Sequence, residues 1–175
     1  MEPMKCKLIC TLLFALVSFS PNLVFAKSTD RDQPIHIKAD NAEINDKTGV
    51  STYRGKVEIT QGSMILRGDI VVIHAPGNKV EKVTAEGKLA NYQQTTDDGH
   101  ILYAEAEKMI YQRTDDTIEL IRKAKLTEEE NVFRSDRILY HIDKRLVDAG
   151  DPKGGQRVNI TIVPDSAVFE NNAKP

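Results

Sequence analysis

From residue 35 onward, apolar side chains recur at every second position. The pairs are Ile35/Ile37, Val57/Ile59, Met64/Leu66, Val71/Ile73, Met109/Tyr111, Ile118/Leu120, Ala124/Leu126 and Ile138/Tyr140, followed by the triplet Val158/Ile160/Ile162. The intervening residues are mostly polar, as in Lys56-Val57-Glu58-Ile59-Thr60. Side chains of a strand point alternately to opposite faces, so this pattern predicts strands with one apolar and one wet face. Turn signals separate the runs: Asp46-Lys47-Thr48-Gly49, Gln61-Gly62, Ala75-Pro76-Gly77-Asn78, Glu86-Gly87, Asp97-Asp98-Gly99, Asp115-Asp116 and Asp143-Lys144. Such spacing predicts an antiparallel sandwich, barrel or roll. The stretches 39–44, 104–109 and 123–130 are compatible with helix, but each is short and flanked by alternating sequence, so they read as strand.

An internal repeat underlies the pattern. The segment 64–74 aligns with 131–141 at an offset of 67, with Arg67-Gly68-Asp69 over Arg134-Ser135-Asp136. Upstream, Ala39-Asp40 and Ile44 match Ala104-Glu105 and Met109 at an offset of 65, and Gly55-Lys56-Val57 falls near Ala124-Lys125-Leu126. A half-unit of several strands is too long for a solenoid coil and predicts a sheet grown by duplication. The small-Asp pairs Gly68-Asp69 and Ser135-Asp136 each divide two apolar doublets, as expected at a strand bend.

The first 26 residues read differently. Lys5 and Lys7 precede an almost wholly apolar run over 8–19, and Val24-Phe25-Ala26 places small residues ahead of a cleavage point. This is the anatomy of a cleaved signal peptide (1–26); the run is shorter than the roughly 20 residues of a spanning helix. A retained N-terminal anchor is the alternative. Cys10 precedes most of the apolar run and lacks the small residues expected ahead of a lipidated cysteine. Cys6 and Cys10 are the chain's two cysteines, so the exported product has no disulfide and rests on burial and backbone pairing. The domain predicted from this division covers 27–164, with a polar, disordered tail at 165–175.

The remaining composition narrows the chemistry. A formal net charge of −2 offers no basic face for nucleic acid. Forty per cent hydrophobic and 29% charged residues describe a globular chain, and Trp is absent, so the apolar face is mainly aliphatic. No nucleophile elbow or phosphate loop is present, and Gly154-Gly155 reads as a turn. His36, His74, His100 and His141 are dispersed, and three of them alternate with apolar residues on the outer face, so no metal and no cofactor is expected. The acidic pairs Asp97/Asp98 and Asp115/Asp116 and the run at 128–130 coincide with turns, where nothing would desolvate a carboxylate. Asn159-Ile160-Thr161 matches a glycosylation sequon inside a strand and carries no weight.

Several segments together carry a resemblance. They are Asp32-Gln33-Pro34-Ile35-His36-Ile37, Ala39-Asp40, the run Tyr53-Arg54-Gly55-Lys56-Val57-Glu58-Ile59-Thr60-Gln61-Gly62, and Leu66-Arg67-Gly68-Asp69. Gly87-Lys88-Leu89-Ala90, Met109-Ile110-Tyr111, Ser135-Asp136-Arg137-Ile138-Leu139-Tyr140 and Arg157-Val158-Asn159-Ile160-Thr161-Ile162-Val163-Pro164 follow in order. In this order and spacing, from about residue 30 to residue 164, the chain resembles the periplasmic lipopolysaccharide transport bridge (OstA-like) family.

The resemblance implies an all-β fold: an open, slightly twisted antiparallel β-jellyroll, V-shaped in section, with an apolar interior groove. It also implies a non-enzymatic function in the periplasm of a Gram-negative cell. The groove would take the lipid A acyl chains of lipopolysaccharide and pass the molecule from an inner-membrane ATP-hydrolysing transporter to an outer-membrane translocon. Ile35, Ile37, Tyr92 and Tyr111 lie in segments resembling the family's lipid-contacting strands. Alternation adds Val57, Ile59, Met64, Leu66, Val71 and Ile73 from the first half, and Leu120, Leu126, Phe133, Ile138 and Tyr140 from the second. Arg113 breaks the Tyr111 face, at a groove mouth or a strand end.

An open roll leaves unpaired backbone groups at its terminal strands, which invite another chain. The expected edges are Ile35, His36, Ile37, Lys38 and Ala39 at one end. At the other they are Arg157, Val158, Asn159, Ile160, Thr161, Ile162 and Val163. Implied partners are a second copy added head-to-tail, an inner-membrane anchored bridge component at the N-terminal end and the translocon's periplasmic domain at the C-terminal end. The competing readings are a structural or adhesive periplasmic β-protein with a closed core, and an envelope enzyme for which no reactive constellation is visible.

Overall fold

Alternating runs joined by tight turns favour pairing of each strand with the next. The computed structural model, which describes residues 30–164 except 97, 98, 152, 153 and 155, has that arrangement. The expected signal peptide, the C-terminal tail and the Asp97-Asp98 pair therefore lie outside the described residues, as does Gly155. The strands are β1 (His36–Lys38), β2 (Asn41–Asn45), β3 (Val50–Gln61), β4 (Met64–His74) and β5 (Lys82–Thr95), then β6 (Ile101–Gln112), β7 (Thr117–Glu128), β8 (Asn131–His141), β9 (Leu146–Ala149) and β10 (Asn159–Thr161). They form one sheet ordered β1-β3-β4-β5-β6-β7-β8-β10, with β2 also paired to β3 and β9 to β8. Every pairing is antiparallel. The three stretches that were also compatible with helix fall within or across β2, β6 and β7, where flanking alternation overrides local propensity.

The repeat survives at the level of backbone geometry. Strands β4 and β8 begin and end 67 residues apart. The pairs Arg54↔Ile70 and Val57↔Gly68 bracket a bulge in β3, and Ile121↔Arg137 and Ala124↔Ser135 bracket its counterpart in β7. The bulged residues have positive φ in both halves: 81° and 45° at Gly55 and Lys56, 62° and 51° at Arg122 and Lys123. Glycine suits the first site for two reasons. Its conformation is left-handed, and a Cβ there would come within 2.3 Å of the Asp40 carboxylate. Arg122 and Lys123 hold the same shape at a steric cost of roughly 1–2 kcal/mol each. Both reach Glu107, at 2.9 and 2.7 Å. Lys123 and then Arg122 hold that carboxyl below its usual range. These pairs are exposed and contribute little, so strand pairing on both sides must sustain the strain.

Similar breaks in register occur between Arg67 and Ile70, Glu86 and Ala90, and Glu105 and Lys108. They form a line across mid-strand, and the gaps between β1 and β2 and between β9 and β10 extend it to both edges. The expected bends at Gly68-Asp69 and Ser135-Asp136 lie on this line. In these two hairpins, however, the extra residue belongs to the neighbouring strand: Asp69 faces the bulge of β3, and Asp136 that of β7. Bulges sharpen local bending, so the line divides the sheet into two half-sheets that fold toward one another.

The apolar faces of both halves meet in one cluster. Val57, Ile59, Leu66, Leu102 and Leu126 come from one half, and Val71, Ile73, Met109, Leu120, Ile138 and Tyr140 from the other. The outer face carries cross-strand ion pairs, such as Lys38–Glu58 at 3.1 Å and Arg67–Glu58 at 2.9 Å. Lys38 and then Arg67 hold the Glu58 carboxyl below its usual range.

Candidate functional site

The two half-sheets face each other closely enough for their far ends to touch. Glu128 ends β7 on one lip, and Arg145 lies in the turn after β8 on the other. Between those lips runs β8, 11 residues long, which at about 3.3 Å per residue would span roughly 33 Å if straight. Yet Arg145 donates to Glu128 Oε1 at 2.7 Å from Nη2 and 3.1 Å from Nε. The strand is therefore folded back on itself at its centre. The described interior is a slot between two apolar faces.

Part of this slot is hollow. A cavity of about 380 Å³ lies at the N-terminal side, walled by Ile59, Met64, Leu66 and Tyr92 from one half and by Ile73, Val83, Ala85, Met109, Tyr111 and Ile118 from the other. That size lies near the lower end for small-molecule sites. Asp30, Gln33, Gln61 and Gln94 line one lip, and Asn78 and Arg113 stand on the other. Asp30 accepts hydrogen bonds from the Ser63 backbone N–H at 2.9 Å, Ser63 Oγ at 2.6 Å and Gln94 Nε2 at 3.0 Å. Gln61 Nε2 donates to the Gln33 carbonyl at 3.0 Å, and the Tyr92 hydroxyl donates to Gln94. The walls are greasy and the lip is polar. This suits a ligand with an apolar body and a hydrated head.

Of the residues singled out by alternation and resemblance, Ile35, Ile59, Met64, Leu66, Ile73, Tyr92 and Tyr111 line the cavity. Ile37 is half-buried against the core beside it. Val57, Val71, Leu120, Leu126, Ile138 and Tyr140 occupy the same apolar face but are at most 2% exposed, packed against protein atoms. Phe133 is half-buried against them. Thus the interior is hollow toward β3–β6 and the start of β7 at Ile118, and filled along the rest of β7 and β8. Burial first, and the Glu128 charge second, push the Tyr140 hydroxyl pKa up.

Sequence reasoning missed Val83, Ala85, Met109 and Ile118 as wall residues, although each continues an i, i+2 series. Apart from Arg113, it also missed the polar lip, which had no sequence signal because strand ends from distant segments assemble it. Arg113 stands at the mouth. His36 and His74 are exposed, while His100 pairs with Glu129 at 3.3 Å and His141 with Asp148 at 3.5 Å. Among the described residues, no group of three or more His, Cys, Asp or Glu side chains is placed to hold a metal. No helix among them is long and apolar enough to cross a membrane.

Among the described residues, seven of ten exposed large apolar side chains lie at the two sheet edges, and Ile70, Leu89 and Ile101 lie on the inner strands β4, β5 and β6. Ile35 and Ile44 lie at the β1–β2 edge, and Leu146, Val158, Ile160, Ile162 and Val163 at the β9–β10 edge.

Comparison with known proteins bears on these features. Residues 36–145 match the family model described as LptA/(LptD N-terminal domain) LPS transport protein. The chain is 36% identical over 162 residues to the lipopolysaccharide export system protein LptH of Pseudomonas aeruginosa, covering 87% of this chain and 93% of that protein. It is 32% identical over 150 residues to the lipopolysaccharide export system protein LptA of Escherichia coli K12, covering 85% of this chain and 80% of that protein. The crystal structure of Pseudomonas aeruginosa LptH, described as the LptA-homologous periplasmic component of the lipopolysaccharide transport device, superimposes with a TM-score of 0.70. That alignment has 38% identity and covers 77% of this chain and 99% of that one.

Proposed function

The chain belongs to the LptA/(LptD N-terminal domain) LPS transport protein family, and from that premise we propose that it is a periplasmic carrier for lipopolysaccharide. The acyl chains of lipid A lie in the slot between the half-sheets, while the charged head stays outside the polar lip. The observation that carries this reading is the cavity itself: hollow, walled by aliphatic and tyrosine side chains, and edged by Gln61, Gln94 and Arg113. Each methylene withdrawn from water is favourable by roughly 0.8 kcal/mol, so a dozen amount to about 10 kcal/mol gross. A carrier must match that shelter without binding irreversibly. Aliphatic walls do so through non-directional contacts that exchange readily as a chain slides. The protein carries no energy source of its own, and flow is driven by the inner-membrane ATP-hydrolysing transporter.

Continuity requires more than one module. The β1–β2 edge receives the inner-membrane anchored component, the β9–β10 edge the translocon's periplasmic domain, and either edge a second copy. The apolar side chains left exposed at both edges support this assembly.

Ile35→Asp should weaken lipopolysaccharide binding roughly thirtyfold, equivalent to about 2 kcal/mol, when measured on protein dilute enough to be monomeric. Ile35 lines the cavity yet is 44% exposed, so the carboxylate costs the fold little but would lack a partner beneath acyl chains. His74→Asp, on the outer face one residue from Ile73, should change affinity less than threefold. Equal losses from the two substitutions would mean that binding does not depend on the slot.

A further inference from the structure

The cavity stops short of the far edge. Its strand lining comes from β3 to β7 and from no residue of β8, and Ile142, in the turn just after β8, closes it on that side. Lipid entering beside Ile35 would therefore meet a wall before reaching β9 and β10. At that wall the lips are joined by the Arg145–Glu128 contact, with Glu129 Oε1 a further 4.0 Å from Arg145 Nη2. The Glu128 side chain is only 13% exposed, less than the carboxylates of the outer-face bridges such as Glu105 and Glu119, while Arg145 reaches it from the wet side, 46% exposed. Behind it lie Leu126, Phe133, Ile138 and Tyr140, the apolar face that alternation extends from the cavity to the C-terminal edge.

We propose that Glu128 and Arg145 form a latch across the mouth of the slot, which holds its C-terminal half shut and must part before acyl chains can pass from the cavity to the β9–β10 edge. This rests on the carrier reading above. The fold suits such a device. The half-sheets are joined along the bulged line at the base of the V, so parting the lips requires flexing there and breaks no strand pairing. Arg145 belongs to the short turn between β8 and β9 and has positive φ, 51°; its departure gives up polar contacts with Glu128 and the Tyr140 hydroxyl. Filled and hollow interior are then two states of one apolar face. Residues such as Phe133 and Leu126 touch lipid only in the second.

The chain has no Trp, so a single introduced tryptophan reports locally. Tyr111→Trp should shift its emission to shorter wavelength as lipopolysaccharide fills the cavity, with the latch intact or broken. Phe133→Trp should respond only at much higher lipopolysaccharide in the otherwise unaltered chain. Adding Arg145→Ala or Glu128→Gln should lower its half-response concentration at least fivefold. The exchange Glu128→Arg with Arg145→Glu should restore most of the original resistance. A Phe133→Trp response at the same lipopolysaccharide concentration with and without Arg145, while Tyr111→Trp responds normally, would refute the latch alone. Silence of Tyr111→Trp in every background would refute the carrier reading beneath it. Retained β-sheet circular dichroism and a normal Tyr111→Trp response show that a latch variant is folded.

Discussion

Leu120→Ala should destabilise the fold by about 3 kcal/mol and lower the unfolding midpoint by roughly 10 °C. Met64→Ala should shift it by no more than about 3 °C and instead weaken lipopolysaccharide binding several-fold. Leu120 is fully buried on β7, between Met109 of β6 and Ile138 of β8. Truncating it opens a sealed void in close-packed surroundings, with transfer and cavity terms acting together. Met64 is half-buried and already borders empty space, so its removal widens a cavity and strands few contacts. Thermal unfolding followed by circular dichroism, paired with a binding titration, separates the two. Similar midpoint losses would mean that the interior has no hollow and filled sections.

The second large effect concerns assembly, and the repeat supplies its geometry. Strands β5 and β6 pair with Tyr92 opposite Ala104. By position against the equivalent neighbouring strands, Ile160 occupies the place of Tyr92, and Ile37 that of Ala104. A second copy adding in the register used inside the chain would set Ile160 of one copy opposite Ile37 of the next, and Ile162 opposite Ile35. It would also bring Arg157 to Asp40 beside the bulged line, where opposite charges favour this register over its neighbours. Directly opposed residues have Cβ atoms about 4.5–5.5 Å apart, near disulfide reach. Cysteines at 37 and 160 should therefore yield oxidised ladders on non-reducing gels, at least tenfold more than cysteines at 37 and 162. Deleting 157–163 should abolish concentration-dependent oligomers in sedimentation. Oligomers that persist after the deletion, or equal ladders from both cysteine pairs, would rule out this junction.

Much of the fold was visible in the chain, because period-two alternation and turn residues are local signals. The offset of 67 even anticipated two bulges in matching registers. The sequence could not say which strand of each hairpin carries the extra residue. Gly68-Asp69 attracts attention as a small-polar pair, yet the bulge it faces is at Gly55-Lys56, and in the second half Arg122 and Lys123 adopt left-handed conformations that their side chains disfavour. Strand pairing on both sides overrides that preference.

For the site, alternation assigned side chains to a face but could not distinguish a filled face from a hollow one. Ile73 and Leu120 look alike in sequence; one borders a cavity and the other is sealed, because burial depends on what the opposite half-sheet presents. Most of the polar lip was silent for the same reason. Gln61 and Gln94 acquire meaning only when strand ends far apart in sequence come together around a bend, whereas Arg113 was legible as a break in the Tyr111 face.

The central claim is that the hollow between the half-sheets admits acyl chains in the cell. Placing a photo-crosslinking amino acid at Tyr111, and separately at Lys82 on the outer face one residue from Val83, tests this most directly. Irradiation should join lipopolysaccharide to the protein from position 111 and leave position 82 without adduct. Adducts at 82 as abundant as at 111, or none at 111 in cells actively exporting lipopolysaccharide, would contradict the account.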